Sequence, residues 1–165
     1  PSLKFRKKEL HFLKITGMNH SFLQRLHYLC DVIPSLLYKT SEEDFSAKPK
    51  PDKWSKKEIL GHLIDSATNN HQRFIRVQFE ELPTIIYDQN KWNAFSHYNE
   101  MSSEQLIQFW TLYNKHLLHL LQHIPEETLD RKCNTGEPAP VSLRWLIEDY
   151  VKHLEHHLHQ IVPYN

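Results

Sequence analysis

The stretch SLRWLIEDYVKHLEHHLHQI, residues 142–161, decides how this chain is read. Leu143, Ile147, Tyr150, Leu154 and Ile161 recur at helical spacing behind Ser142, a good N-cap, so the segment reads as an amphipathic helix with one face on a core. His153 and His157 lie at the edge of that stripe, four residues apart. Residues so spaced lie on one helix face with Cβ atoms about 5–6 Å apart, close enough for two imidazoles to share one metal ion. His156 and His159 project to the flank and the outside. A pair alone is incomplete, because a catalytic zinc-type site takes three protein ligands and leaves a position open.

With 165 residues the chain is the size of one domain, and its 20 basic and 20 acidic residues cancel. No global field therefore favours nucleic acid or an anionic membrane, and partners must be recognised locally. Cys30 and Cys133 form neither a disulfide framework nor a cysteine metal knuckle, which suits a reducing cytoplasm. No apolar run approaches the roughly 18–20 residues that span a bilayer, and the N-terminus lacks a signal-peptide core. A cytoplasmic protein is the expectation. Three glycines and long periodic stretches point to helix, and thirteen histidines stand out against the neutral background.

The periodicity predicts four helices and an all-α four-helix bundle. The first covers about 19–38, with Pro34 kinking it or marking a restart. The second follows Ser55, whose partner three residues on is Glu58, and runs to about Glu81. Its apolar seam is Ile59, Leu63, Ala67, Phe74 and Val77, flanked by a polar stripe of His62, Ser66, Asn69 and Arg73 that can line a pocket or be ordinary surface. Residues 82–101 read as a long, aromatic-rich connection. A third helix follows Ser102 or Ser103 to about His123, and the connection 125–141 holds CNTGEPAP. Residues 1–17 carry five Lys or Arg against one Glu and read as a leading segment of uncertain status, ahead of a domain over 18–165.

His62 is the best candidate for the missing ligand, since it borders the core seam of the second helix and a bundle can face it to the His153/His157 pair. The competing reading is three separately solvated histidines. At this point the sequence resembles the DinB-like superfamily, and within it the YfiT group of metal-dependent hydrolases, some of which act as bacillithiol S-transferases. The resemblance runs through Ile33-Pro34; Lys53-Trp54-Ser55; Gly61-His62-Leu63-Ile64-Asp65-Ser66 with Asn69 and Arg73-Phe74; Leu82-Pro83-Thr84-Ile85 with Tyr87-Asp88 and Trp92; and Tyr150 with His153, His156, His157 and Ile161. It covers about residues 18–162 and implies a metal held by His62, His153 and His157. Three departures bear on details of the site, namely a substrate contact through the loop and the surroundings of the ligands: Ala67 where the group often has histidine, Cys133-Asn134-Thr135-Gly136 in place of a His-Pro-Glu-x-x-Gly type loop, and Gln160 where near relatives carry histidine. The expected cofactor is one divalent ion, zinc or nickel.

Other residues carry weaker signals. Asp65, three residues after His62, can orient a ligand imidazole or accept a proton, or be an exposed helix carboxylate. His156 is a second candidate proton carrier. His116, His119 and His123 fit a solvated face, Trp54, Trp92 and Trp110 fit core or loop anchors, and Cys133 has no neighbours in sequence that would activate a thiolate. Three neutral imidazoles leave a divalent ion its full charge and an open position. A bound thiol would become a thiolate and attack an electrophile, the chemistry that the resemblance favours; bound water would instead serve hydrolysis. A non-catalytic metal-binding stress-response module is the third reading. The expected partners are a small-molecule thiol and an electrophilic substrate, with no nucleic acid and no membrane, and a homodimer is left open.

Overall fold

The computed structural model describes residues 20–165, and the leading segment 1–17 lies outside them. Four long helices carry the architecture: α1 (His20–Leu37), α3 (Lys56–Arg76), α5 (Ser103–Leu121) and α6 (Leu143–Leu158). Two short helices, α2 (Glu42–Ser46) and α4 (Gln89–Ser96), lie in the connections, with 3-10 turns at Tyr98–Glu100 and Glu126–Thr128. Two antiparallel two-residue strands, β1 (Lys132–Cys133) and β2 (Val141–Ser142), pin the last connection. In the bundle α3 packs on α5 and α6, and α1 packs on the same two helices. Of the long helices consecutive in the chain, α3 and α5 pack on each other, whereas α1 and α3, and α5 and α6, are not principal neighbours, and the long connections are what allow this.

The caps act as the sequence implies. The Ser55 hydroxyl accepts the Glu58 amide at 3.0 Å while the Glu58 carboxylate accepts the Ser55 amide at 2.7 Å, closing a capping box on α3. Ser102 and Ser142 accept the amides of Gln105 and Trp145. Pro34 stays inside α1 without ending it. One apolar cluster fills the bundle, with Leu26, Leu63, Trp110, Leu117, Val151 and Leu154 fully buried. Tyr150 is buried as well, and it satisfies its hydroxyl by donating to Asn114 Oδ1 at 2.6 Å.

One helix boundary and two connections differ from the sequence expectation. The second long helix ends at Arg76 and not near Glu81, because Arg131 takes the carbonyls of Val77 at 2.6 Å and Glu80 at 2.8 Å that further helix would have used. Leu82, at φ 49 and just before Pro83, then turns the chain away. The connection 82–101 contains α4, capped by Asp88 accepting from the amides of Asn90 and Lys91 at 3.1 Å. The stretch 40–53 contains α2, whose Glu42 reaches both the buried Lys57 amine at the start of α3 and Ser103 at the start of α5. That contact with Lys57 holds the Glu42 carboxyl down at about 2.

Tyr98 sets the fit of the 82–101 segment on the bundle. Its ring packs against α3 at Gly61, where a Cβ would fall 2.1 Å from Tyr98 Cδ2. At an open position in a helix, Gly→Ala stabilises by up to about 1 kcal/mol. Here the sign is expected to reverse. Gly61→Ala should lower stability by about 1–3 kcal/mol, the cost of forcing extra volume into a packed site. Urea titration followed by circular dichroism checks this, and a gain in stability would show that Tyr98 does not rest on Gly61.

Candidate metal centre

α3 and α6 bring His62, His153 and His157 to one place. One nitrogen from each lies within 4.8 Å of the others, and His62 Nε2 is 3.1 Å from His153 Nε2. Two nitrogens bound about 2.0–2.1 Å from a tetrahedral zinc are about 3.3 Å apart, so that separation suits two ligands of one ion. The rings stand edge to face with centroids 4.6–5.0 Å apart. His62 is fully buried and the α6 pair half-buried, so the group opens to the outside along α6.

Burial sets the protonation of the three. Desolvation, then the mutual repulsion of the neighbouring imidazoles, pushes His62 down to about 3 and His153 to about 4, and His157 is lowered by burial and by His156. All three are neutral at pH 7, the form that ligates a metal. Their Nδ1 atoms are buried with no hydrogen-bond partner in the protein. Three neutral rings pressed together with orphaned polar atoms are costly in a bare protein. A shared cation takes the lone pairs of nitrogens that face one another, the His62 and His153 Nε2 atoms 3.1 Å apart, so the donor set fits a divalent ion.

The surroundings differ in part from the sequence picture. Asp65 is 3 % exposed, so it is no surface carboxylate. Its Oδ1 accepts the Tyr98 hydroxyl at 2.5 Å while Oδ2 is buried without a partner, and it bonds none of the three imidazoles. Burial, opposed by the Tyr98 bond, raises its carboxyl to about 6. His156 is exposed, with Nε2 3.1 Å from the Gln160 amide nitrogen and its ring 4.9 Å from that of His157. Trp54, read as an anchor, packs on His62 at 5.0 Å between ring centres. Trp110 is core, and Trp92 is an exposed neighbour of Tyr87. His116, His119 and His123 are exposed as expected. Cys133 is buried with its thiol pushed up by desolvation, and Ala67 is sealed in the core.

The polar stripe on α3 is buried, and part of it lines a cavity of about 240 Å³ that has His153 in its wall. Ser66, Asn70 and Arg73 come from α3, Asp149 and Tyr150 from α6, and Thr135 and Glu137 from the loop between β1 and β2. A larger cavity of about 500 Å³ is bordered by Trp54 and Gln160. The sequence points to the stripe and, through the resemblance, to the loop at residues 133–136, but not to Asp149, whose approach depends on how α6 packs on α3.

The neutral trio predicts a pH dependence for chelator-stripped protein. Below the ordinary histidine value of 6.5 the unfolded chain takes up protons that the folded chain refuses until about 4 at His153 and about 3 at His62, so stability falls as pH drops through that window. Asp65, raised from 3.8 to about 6, binds its proton more readily when folded and works in the opposite sense. Two larger shifts and a third of the same sign outweigh it. Urea midpoints at about pH 7 and about pH 4.5 should show the loss, and a smaller one in His153→Leu; equal slopes in the two proteins would contradict it.

Comparison with known proteins places the chain in a family. A model of the DinB superfamily matches residues 25–161. A protein of Oceanobacillus iheyensis named "putative metal-dependent hydrolase" is 24% identical over 143 residues, covering 86% of this chain and 82% of its own. A Bacillus cereus protein of the same name is 23% identical over 141 residues, covering 85% and 81%. YfiT from Bacillus subtilis, described as a "probable metal-dependent hydrolase with an unusual four-helix bundle topology", superposes with a TM-score of 0.74 at 20% identity, over 86% of this chain and 82% of that one. A mycothiol-dependent maleylpyruvate isomerase superposes with a TM-score of 0.71 at 10% identity, over 86% and 60%. At these identities the superpositions establish the fold, and with the family match over most of its length, this chain belongs to the DinB superfamily.

Proposed function

We propose that this chain is a metal-dependent enzyme that holds one divalent ion, zinc or nickel, through His62, His153 and His157 and activates a low-molecular-weight thiol for attack on an electrophilic substrate. The convergence of three neutral imidazoles with no charged ligand carries the reading. An ion so held keeps its full charge and lowers the pKa of a thiol or water at its open position. Two further observations support transfer between two substrates. One cavity has His153 in its wall, and a second, bordered by Trp54, which packs on His62, offers room for another reactant beside the centre. The shared fold with an isomerase named as mycothiol-dependent points the same way.

The other residues take roles from their placement. Trp54 shields one face of the His62 ring and keeps water from it. Tyr98 holds Asp65 through the 2.5 Å bond, and that bond fixes the turn of α3 that carries His62. His156, exposed and beside Gln160, is placed to pass a proton to solvent. The relatives named as metal-dependent hydrolases favour a second reading, in which water takes the place of the thiol.

His153→Ala should lower bound metal and thiol-dependent activity together, by more than the about 10–100-fold that losing a group which merely orients a ligand costs. His156→Ala should keep its metal, since on a 3.6-residue helix it is rotated about 100° from His157. Metal analysis of purified variants and thiol-dependent consumption of monobromobimane measure both. Full activity in His153→Ala would end the proposal, and ester turnover without any thiol would favour the hydrolase.

A further inference from the structure

Arg73 is 8 % exposed, and among the described residues no carboxylate lies within ion-pair distance of it. A buried guanidinium with no carboxylate in contact is costly, and Asp149 acts on it only from across the cavity, so what surrounds it is informative. Nε and Nη2 donate to the Ile85 carbonyl at 3.2 and 2.9 Å, and Nη1 donates to Asn70 Oδ1 at 3.3 Å. Asn70 is itself held by its amide on the Ser66 carbonyl at 3.0 Å. Three of five N–H groups are thereby used to aim the side chain, and two remain for a ligand. Arg73 lines the same cavity as His153.

The rest of that cavity has a matching polarity. Asp149 and Glu137, both exposed at its edge, supply negative charge, and Thr135 Oγ1 is buried there with no partner. A simple anion would meet Arg73 but be repelled by two carboxylates, and a simple cation would meet the reverse. A group bearing both charges satisfies each side. The volume, about 240 Å³, is below the roughly 300–1,000 Å³ of pockets for drug-sized ligands and suits something as small as one amino acid.

We infer that this cavity is a subsite for a zwitterionic α-amino-acid group, its carboxylate on Arg73 and Thr135, its ammonium toward Asp149 and Glu137, and its side chain directed to His153. Three different partners around one tetrahedral carbon define which substituent reaches the imidazoles. A cysteine-like amino thiol is the substrate class that presents its sulfur there. The identity of the reactive group rests on the function proposed above, while the zwitterion site rests on the cavity alone.

A thiol-free probe keeps the two separable. L-Serine, N-acetyl-L-serine and L-serine methyl ester are titrated by saturation-transfer NMR into zinc-loaded and chelator-treated protein. L-Serine should bind both forms, and each capped analogue should be weaker by about tenfold or more, the cost of one charge-assisted hydrogen bond. Asp149→Asn should weaken L-serine and narrow its advantage over the N-acetyl form, while leaving its advantage over the methyl ester. Arg73→Lys should narrow the advantage over the methyl ester. No L-serine binding to either form, or capped analogues binding as well as L-serine to wild type, would overturn the subsite even if Arg73→Lys fails to fold. Cobalt-loaded protein titrated with L-cysteine tests the thiol separately: absence of a sulfur-to-cobalt charge-transfer band with L-serine still bound would defeat the thiol reading and leave the subsite standing.

Discussion

The packing of α3 against α6 is the contact on which the site depends, because it presses His62 against His153 and His157. One polar contact, the 3.1 Å approach of His62 Nε2 to His153 Nε2, links two of these imidazoles, and it does not by itself hold the three together. They repel one another when protonated and carry buried nitrogens without partners when neutral. The apolar seams on either side, Leu63 and Ala67 on α3 with Tyr150 and Leu154 on α6, hold the helices close and impose the juxtaposition. Hydrophobic burial is non-directional, so it can hold an electrostatically unfavourable cluster in place, and a cation then turns the cluster into a site.

A second layer of contacts fixes α3 along its length. The Ser55 capping box sets where it begins, and Ser55 also donates to Asn99 at 2.7 Å, tying the cap to the segment after α4. The same segment presents Tyr98 to Gly61 and Asp65, on either side of His62 in sequence. At the far end Arg131 takes the last carbonyls. The helix that carries His62, Ser66, Asn70 and Arg73 is therefore held at its start, its middle and its end by parts of the chain remote in sequence. Such multiple anchoring keeps ligating and binding groups in position without a substrate to order them.

Much of this was legible in advance. The 3.6-residue apolar period gives the four long helices, and the serines before them mark three starts because an N-cap side chain bonds within its own first turn. The i, i+4 spacing places His153 and His157 on one face for the same local reason. The short helices were missed: α2 and α4 are too brief to show a period, and α4 is held by contacts such as Asn93 donating to the Glu58 carbonyl at 2.8 Å. The end of α3 was placed too late because Arg131, 54 residues beyond Val77, supplies the stop. Asp65 likewise has the right spacing to serve His62 but is engaged by Tyr98, 33 residues away.

By itself the sequence determined what is local: helix periods, caps, the His153/His157 pair, the absence of any strong charge field, and, through the order of its motifs, the superfamily. Only the tertiary structure decided which helices are neighbours, that His62 meets the pair and comes within 3.1 Å of His153, that the polar stripe of α3 is buried, and that Arg73, Asp149 and the β1–β2 loop share a cavity with His153. The division has a physical cause. Period and capping are fixed by hydrogen bonds and side chains within a turn or two, whereas a ligand set or a cavity is assembled across separations of roughly 60–90 residues by packing that no local window contains.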